Sequence, residues 1–569
     1  MSEELTDPSK AAHQIVKVLE DGDAIRNDGV LLQAANKNPW YVLATIYGEQ
    51  EEGATPWEFD EVLAEKNRWA WNGWYCGGLS GPERKDRADK IELKQGDFAP
   101  LTDAEVAALT KKLRARLNDQ TAELPAVTES IDFSEVYFSR FVSFEKYVCE
   151  KYSDFRSATF RDYADFRSTA FSGDADFRSA TFIGDAYFRS ATFSSPAYFS
   201  SATFSGETYF NSTMFSGYAD FNSAMFIGDA YFRSATFIGD AYFRSATFSG
   251  PADFSSATFS GPADFSSAMF SGDADFSSAT FSGDADFSSA MFSGDADFSS
   301  AMFSGNTDFS WHEDFEGKKE QHPARFFQAA DFSSAKFKST TRFTDALFYT
   351  SMPQFHATDL YDDTVFAARN QDLGNWPPLH GAVKVKGCDK PIEVMDAEEQ
   401  KRAYNRLRLF MNRSLQIEEE QFFHRMEMRC KAVLAKWHHK PLYWLFAVFS
   451  DYGNSVWRPI AWGALSVITA ALYMLWWQGV FTFTPQEAGM DWTFGLLADG
   501  DVWAKPREAF GWSISNTLPF IGTGNLYYGG EFAKELAWPL RVVGGVQTLF
   551  GFILLFLLGL GLRNRFRLR

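Results

Sequence analysis

The chain has 569 residues, with 54 basic against 74 acidic side chains and a formal charge of −20. That balance excludes the basic footprint on which general nucleic-acid binding depends. Its four cysteines, Cys76, Cys149, Cys388 and Cys430, lie far apart without a CxxC pair, which excludes a disulfide framework and a thiolate metal site and fits a reducing compartment.

Residues 1–130 form a region of their own. The opening Met1-Ser2-Glu3-Glu4 has neither a basic nor an apolar segment after it, so no secretory signal is expected. Two stretches read as packed core: Asn38 to Glu49, and the Trp-rich run containing Trp69, Trp71 and Trp74. Thr102-Asp103-Ala104-Glu105 predicts a helix to about Leu117, with acidic residues early and Lys111, Lys112, Arg114 and Arg116 late. The tryptophans either line a ligand pocket or form the hydrophobic core of an α-helical cap; the second reading is the plainer one.

Residues 131–369 are organised by phenylalanine at alternating spacings of five and six. The cleanest part runs Phe254, Phe259, Phe265, Phe270, Phe276, Phe281, Phe287 and Phe292. Ala stands two places before most of them, as at Ala252, Ala257 and Ala263. In extended chain, positions i−2 and i share a face, so Ala and Phe point inward while Asp, Thr, Ser and Arg point outward. One such block buries too little to order itself. Stacked coils make a continuous column, which is the logic of a solenoid, and the density of aromatics argues against disorder.

The blocks Ala-Asp-Phe-Ser-Ser and Ala-Thr-Phe-Ser-Gly resemble pentapeptide repeats, in a phenylalanine-rich variety with one residue added after every second block. The resemblance implies a mainly β solenoid, a right-handed four-sided parallel β-helix with one block per side. Two 11-residue units then make one coil, giving about ten coils and a rod roughly 50 Å long. The added residue (Asp174, Asp240, Asp273, Asp284, or Pro251 and Pro262) is expected to bulge at alternate corners, after a glycine suited to the turn. Segments similar to residues 1–130 precede the repeats in some bacterial members.

The periodicity breaks once. Glu316 to Arg325 replaces one Phe by a polar stretch, a surface loop or a partner-binding bump, and the pattern resumes at Phe326. Arg follows Phe early (Arg156, Arg167, Arg178, Arg189, Arg233, Arg244), and Ser takes its place from Phe254 on. Some pentapeptide-repeat proteins imitate the charge of DNA with an acidic rod and bind topoisomerases. That reading comes with the resemblance, beside plain solubility.

Residues 370–396 read as a linker. From Ala397 to about Trp437, apolar residues including Tyr404, Leu407, Met411, Phe422 and Met426 recur at helical spacing, predicting a long amphipathic helix within a connector over 397–457. In 458–569, Ile460 to Phe481 and Val542 to Leu562 are each about 20 residues without a charge, enough to span a bilayer. Lys436, Lys440 and Arg458 precede the first span, and Arg563, Arg565, Arg567 and Arg569 follow the second. Basic flanks place both termini in the cytoplasm of a two-span inner-membrane protein, with membrane lipid as one partner.

Between the spans, a short helical stretch followed by Pro519, Phe520, Ile521, Gly522, Thr523, Gly524 and Asn525 resembles the pore loop of tetrameric two-helix cation channels. A potassium filter of that type is lined by backbone carbonyls and reads Thr-Val-Gly-Tyr-Gly. Here only Gly522-Thr523-Gly524 keeps the pattern. No phosphate loop, nucleophile elbow or HExxH is present, so no catalytic residue, cofactor or metal is expected. Three readings follow: a membrane-anchored scaffold presenting its rod to a protein partner; a homotetrameric pore-loop channel with the rod as regulatory domain; and an acidic DNA mimic, which a membrane tether disfavours.

Overall fold

The computed structural model describes residues 14–51, 53–55, 57–91, 93, 98–310, 323–366, 376–379, 381–383, 392–414, 416–478, 481–486, 489–494, 504–518 and 536–566. The chain forms two compact units, Met1–Met395 and Asp396–Arg569.

In the first unit, each five-residue block contributes a two-residue strand. Ala252–Asp253 pairs in parallel with Ala274–Asp275, and Thr258–Phe259 with Thr280–Phe281, each 22 residues on. The strands fall into four sheets of 9, 9, 10 and 13 strands. The two nine-stranded sheets set nine complete turns, and a tenth is begun at Thr341–Arg342 and Leu347–Phe348.

The interior is four columns of phenylalanine. Along a column the rings lie nearly parallel: Phe254 and Phe276 are 4.9 Å apart at 2°. Between columns they meet edge to face, as do Phe254 and Phe265 at 5.4 Å and 88°. Both are favoured aromatic geometries. All eight core phenylalanines named from the sequence, Phe254 to Phe292, are fully buried, and Ala252, Ala257 and Ala263 beside them are inward as expected.

The corners differ from the sequence expectation. The glycines before the added residue, Gly272 and Gly283 among them, are not left-handed. That conformation belongs to the second residue after Phe in the alternate blocks, as at Ser256 (φ 57°), Ser267 (59°) and Ser278 (58°). Glycine is needed for another reason. A Cβ at Gly283 would stand 2.5 Å from the carbonyl carbon of Gly261 in the preceding coil, so a side chain there requires the backbone to shift, as it does at the corners that carry Ser195 and Ser339 in the same column.

The polar break is an insertion rather than a degraded coil. Met291–Phe292 pairs with Arg325–Phe326, and Ala296–Asp297 with Ala330–Asp331, so all four columns continue in register across it. Residues 311–322 lie outside the described residues; Arg325 is already back in its strand.

The N-terminal region closes the first coil. Three strands, β1 (Ile15–Val18), β2 (Ala24–Arg26) and β3 (Leu31–Ala34), extend one sheet of the solenoid, β3 pairing with Val136–Tyr137. These strands went unread in the sequence. Helices α1 (Pro39–Ala44), α2 (Glu61–Tyr75), α3 (Gly81–Lys90) and α4 (Asp103–Leu117) follow. Helix α4 starts at a Thr102 capping box as the sequence indicated. Trp71 donates to the Val148 carbonyl at 2.9 Å, Asn72 to that of Lys146, and the Tyr147 hydroxyl to that of Ala44. Trp71 is fully buried against Tyr147, which makes this tryptophan core rather than pocket lining. Strand addition and buried helices together cover an edge that would otherwise pair with other chains.

In the second unit the expected long helix is two: α5 (Ala397–Arg413) and α6 (Ile417–Leu434). They pack on each other, Tyr404 against Phe423, with Arg408 and Lys431 both on the buried Glu427. Folding back lets each apolar stripe bury the other. Next come α7 (Lys440–Ser450), α8 (Trp457–Trp477), a hairpin of Phe481–Gln486 with Gly489–Phe494, α9 (Ala504–Thr517) and α10 (Trp538–Phe566). Helices α8 and α10 are long and apolar enough to cross a membrane.

Candidate functional site

Two places in the molecule carry more polar chemistry than folding requires. The first is the outer surface of the rod. In the early coils Asp before Phe and Arg after it form a clamp across the corner: Arg156 on Asp154, Arg167 on Asp165 at 2.7 Å, Arg178 on Asp176. These aspartates are buried, contrary to the outward placement expected, because the guanidinium lies over them. Burial favours the neutral form of Asp176, but hydrogen bonds from Arg178 and Tyr152 more than offset it and hold the carboxyl below its usual range.

In the late coils Ser replaces Arg, and Asp253 and Asp264 each accept from the N–H and hydroxyl of Ser255 and Ser266. From Ser245 to Gly317 there is no Lys or Arg. Asp264, Asp286 and Asp308 stack in consecutive coils. Burial, and then the like charges of Asp264 and Asp308, push the Asp286 carboxyl up.

On one face the middle coils carry Tyr where Asp stood. Tyr187, Tyr209 and Tyr231 stack at 4.9 and 5.0 Å. Their hydroxyls bond Asp185, Glu207 and Asp229. Burial, followed by Asp229, pushes the Tyr231 hydroxyl up to about 12. Trp57, itself 75% exposed, meets the edge of Tyr187.

The second place is in the apolar helices. Helix α9 packs against both α8 and α10. Gln547, in α10 and only 4% exposed, places its two amide N–H groups among four acceptors: Ser513 Oγ at 2.6 Å, Thr517 Oγ1 at 2.8 Å, the Ser513 carbonyl at 3.1 Å and the Ser466 carbonyl at 3.3 Å. One side chain thus ties the short helix to both long ones. Glycine makes the approach possible: a Cβ at Gly551 would overlap the carbonyl of Thr517. Periodicity alone gave no sign of Gln547; a lone amide in a charge-free apolar run is the signal to look for. Pro519, Phe520, Ile521, Gly522, Thr523, Gly524 and Asn525 lie outside the described residues; the helix leading into them, α9, is described. Among the described residues no group of three or more His, Cys, Asp or Glu is placed to hold a metal ion.

A family model described as pentapeptide repeats matches in five overlapping segments, 155–195, 177–225, 188–236, 221–269 and 265–310. No curated protein and no solved structure matches the chain.

Proposed function

From a rod whose residues 155–310 are pentapeptide repeats, we propose that this protein is a membrane-anchored scaffold, with the solenoid as its protein-interaction domain. The observation that carries the reading is the pairing, in one chain, of a nine-turn solenoid with regular exposed faces and two apolar helices of membrane-spanning length. A repeated surface suits extended contact with a partner. The basic residues flanking the spans orient both termini to the cytoplasm, on the rod's side of the inner membrane. Alkaline extraction of membranes tests the anchor: the full chain stays in the pellet, and release into the supernatant refutes it. Labelling of single cysteines placed at 490 and 565 from outside the cell tests the orientation: 490 should react and 565 should not, and reaction at 565 refutes it.

A second reading, a pore-loop channel of four copies, is favoured by the short helix α9 held between α8 and α10 by Gln547. Four copies would bring four Gly522-Thr523-Gly524 loops together. The mass in detergent separates the readings. A tetramer with ion flux that Gly522→Val abolishes supports the pore; a monomer or dimer removes it.

A further inference from the structure

We infer that the face bearing Tyr187, Tyr209 and Tyr231 is a docking strip for an acidic, extended segment of a partner protein, held by Arg189 and Arg233. The inference rests on the scaffold reading and says which face acts and what it takes.

The argument starts from a substitution within the repeat. Arg156, Arg167 and Arg178 are each neutralised by the aspartate two residues earlier. At 187 and 231 that aspartate is Tyr, so the arginines that follow have lost their clamp. Arg189 and Arg233 are exposed and make no ion pair among the described residues. Arg244 follows Tyr242 on another face, where it recovers a partner in Asp264 at 3.0 Å. The face with the stacked tyrosines therefore carries two cations that no carboxylate pairs among the described residues. They flank an aromatic ridge that Trp57 lengthens at one end.

Tyr, Trp and Arg are the side chains that dominate binding energy at interfaces. The rings are already ordered by stacking and by bonds from their hydroxyls to Asp185, Glu207 and Asp229, so little entropy remains to be lost on docking. Those acids line one flank of the ridge and the free arginines the other, which leaves the arginine flank to an anionic strand. Two coils separate Arg189 from Arg233, about 10 Å at the spacing of stacked strands. A chain in extended or polyproline form advances about 3.1–3.3 Å per residue. Carboxylates three residues apart therefore fall in register with both arginines, and a proline between them lies on the tyrosine rings.

The test uses the full chain in detergent and a synthetic peptide of five Glu-Pro-Ser units, with the Gln-Pro-Ser peptide as control. We expect the Glu peptide to bind, with affinity at least ten-fold above the control and falling as salt rises. Arg189→Gln with Arg233→Gln should weaken it ten-fold or more, as should Tyr209→Ser, whose replacement the same column carries at Ser143. Arg244→Gln should leave it unchanged. Absence of binding, equal binding of both peptides, or indifference to the double variant would overturn the assignment. A photo-crosslinker at Tyr209 and another at Met291, on a different face, distinguish this failure from that of the scaffold. Capture at Met291 without peptide binding sinks the tyrosine strip and leaves the scaffold; capture at neither position sinks both.

Discussion

Phe276 is the most exacting place to test the solenoid. Its ring is fully buried, stacked on Phe254 and Phe298 at 4.9 and 5.0 Å, and met edge-on by Phe265 at 5.3 Å and Phe287 at 5.6 Å. Replacement by Ala removes one layer of a column whose neighbours are fixed by backbone ladders above and below, so the void cannot collapse. The cost should lie at the upper part of the usual range for such truncations, about 4–5 kcal/mol. Phe276→Leu keeps most of the volume but loses the ring pairs, and about 1–2 kcal/mol is expected. Because each coil touches only its neighbours, the damage should be local. Hydrogen exchange followed by mass spectrometry reads this directly. Amides in 254–298 should exchange faster by the corresponding factor, while those of 155–200 keep their protection. Unchanged exchange around 276 in the Ala variant would refute the column; uniform loss from 155 to 348 would refute the nearest-neighbour account of its stability.

Other outcomes follow from the same geometry. Gly283→Ala forces a methyl onto the backbone of Gly261 and should cost about 2–3 kcal/mol in the melting of the rod, whereas Gly78→Ala, with nothing within 4 Å, should be near neutral by the same measurement. Ser278→Gly should raise stability by about 0.5–1 kcal/mol, because glycine adopts φ 58° without strain. The two Asp environments should separate with pH. Asp286 has a raised folded pKa, so its ionisation destabilises the late coils at neutral pH and the penalty lifts as pH falls through that value. Asp176 has a lowered one, so its stabilisation holds above the unfolded value and is lost only as pH falls below about 4. Protection corrected for intrinsic exchange should therefore rise in 264–308 as pH falls from 7 toward the unfolded carboxylate value of about 4 and stay level in 154–178 over that range; Asp286→Asn should flatten the first trend. Gln547→Leu removes the amide shared by Ser466, Ser513 and Thr517 and should lower the melting temperature of the second unit in detergent, with Gln547→Asn intermediate; equal melting of all three would deny the clamp.

What the sequence determined by itself was the part built from local repetition. Phenylalanine at five and six, with alanine two places before, shows a stacked solenoid with both inside; the coil of 22 residues is what the resemblance to pentapeptide repeats implies. The cap of α4 and the two long apolar helices were legible for the same reason, since each depends on residues near in the chain. The tertiary structure decided everything that depends on a neighbour distant in the chain. Nothing local breaks the helix between Arg413 and Ile417, neither Gly nor Pro; two apolar stripes folding together broke it. Glycine at 283 reads as a turn residue until the coil beneath shows that the missing Cβ is what matters. Strand β3 reads as nothing in particular until the open edge at Val136 gives it a partner.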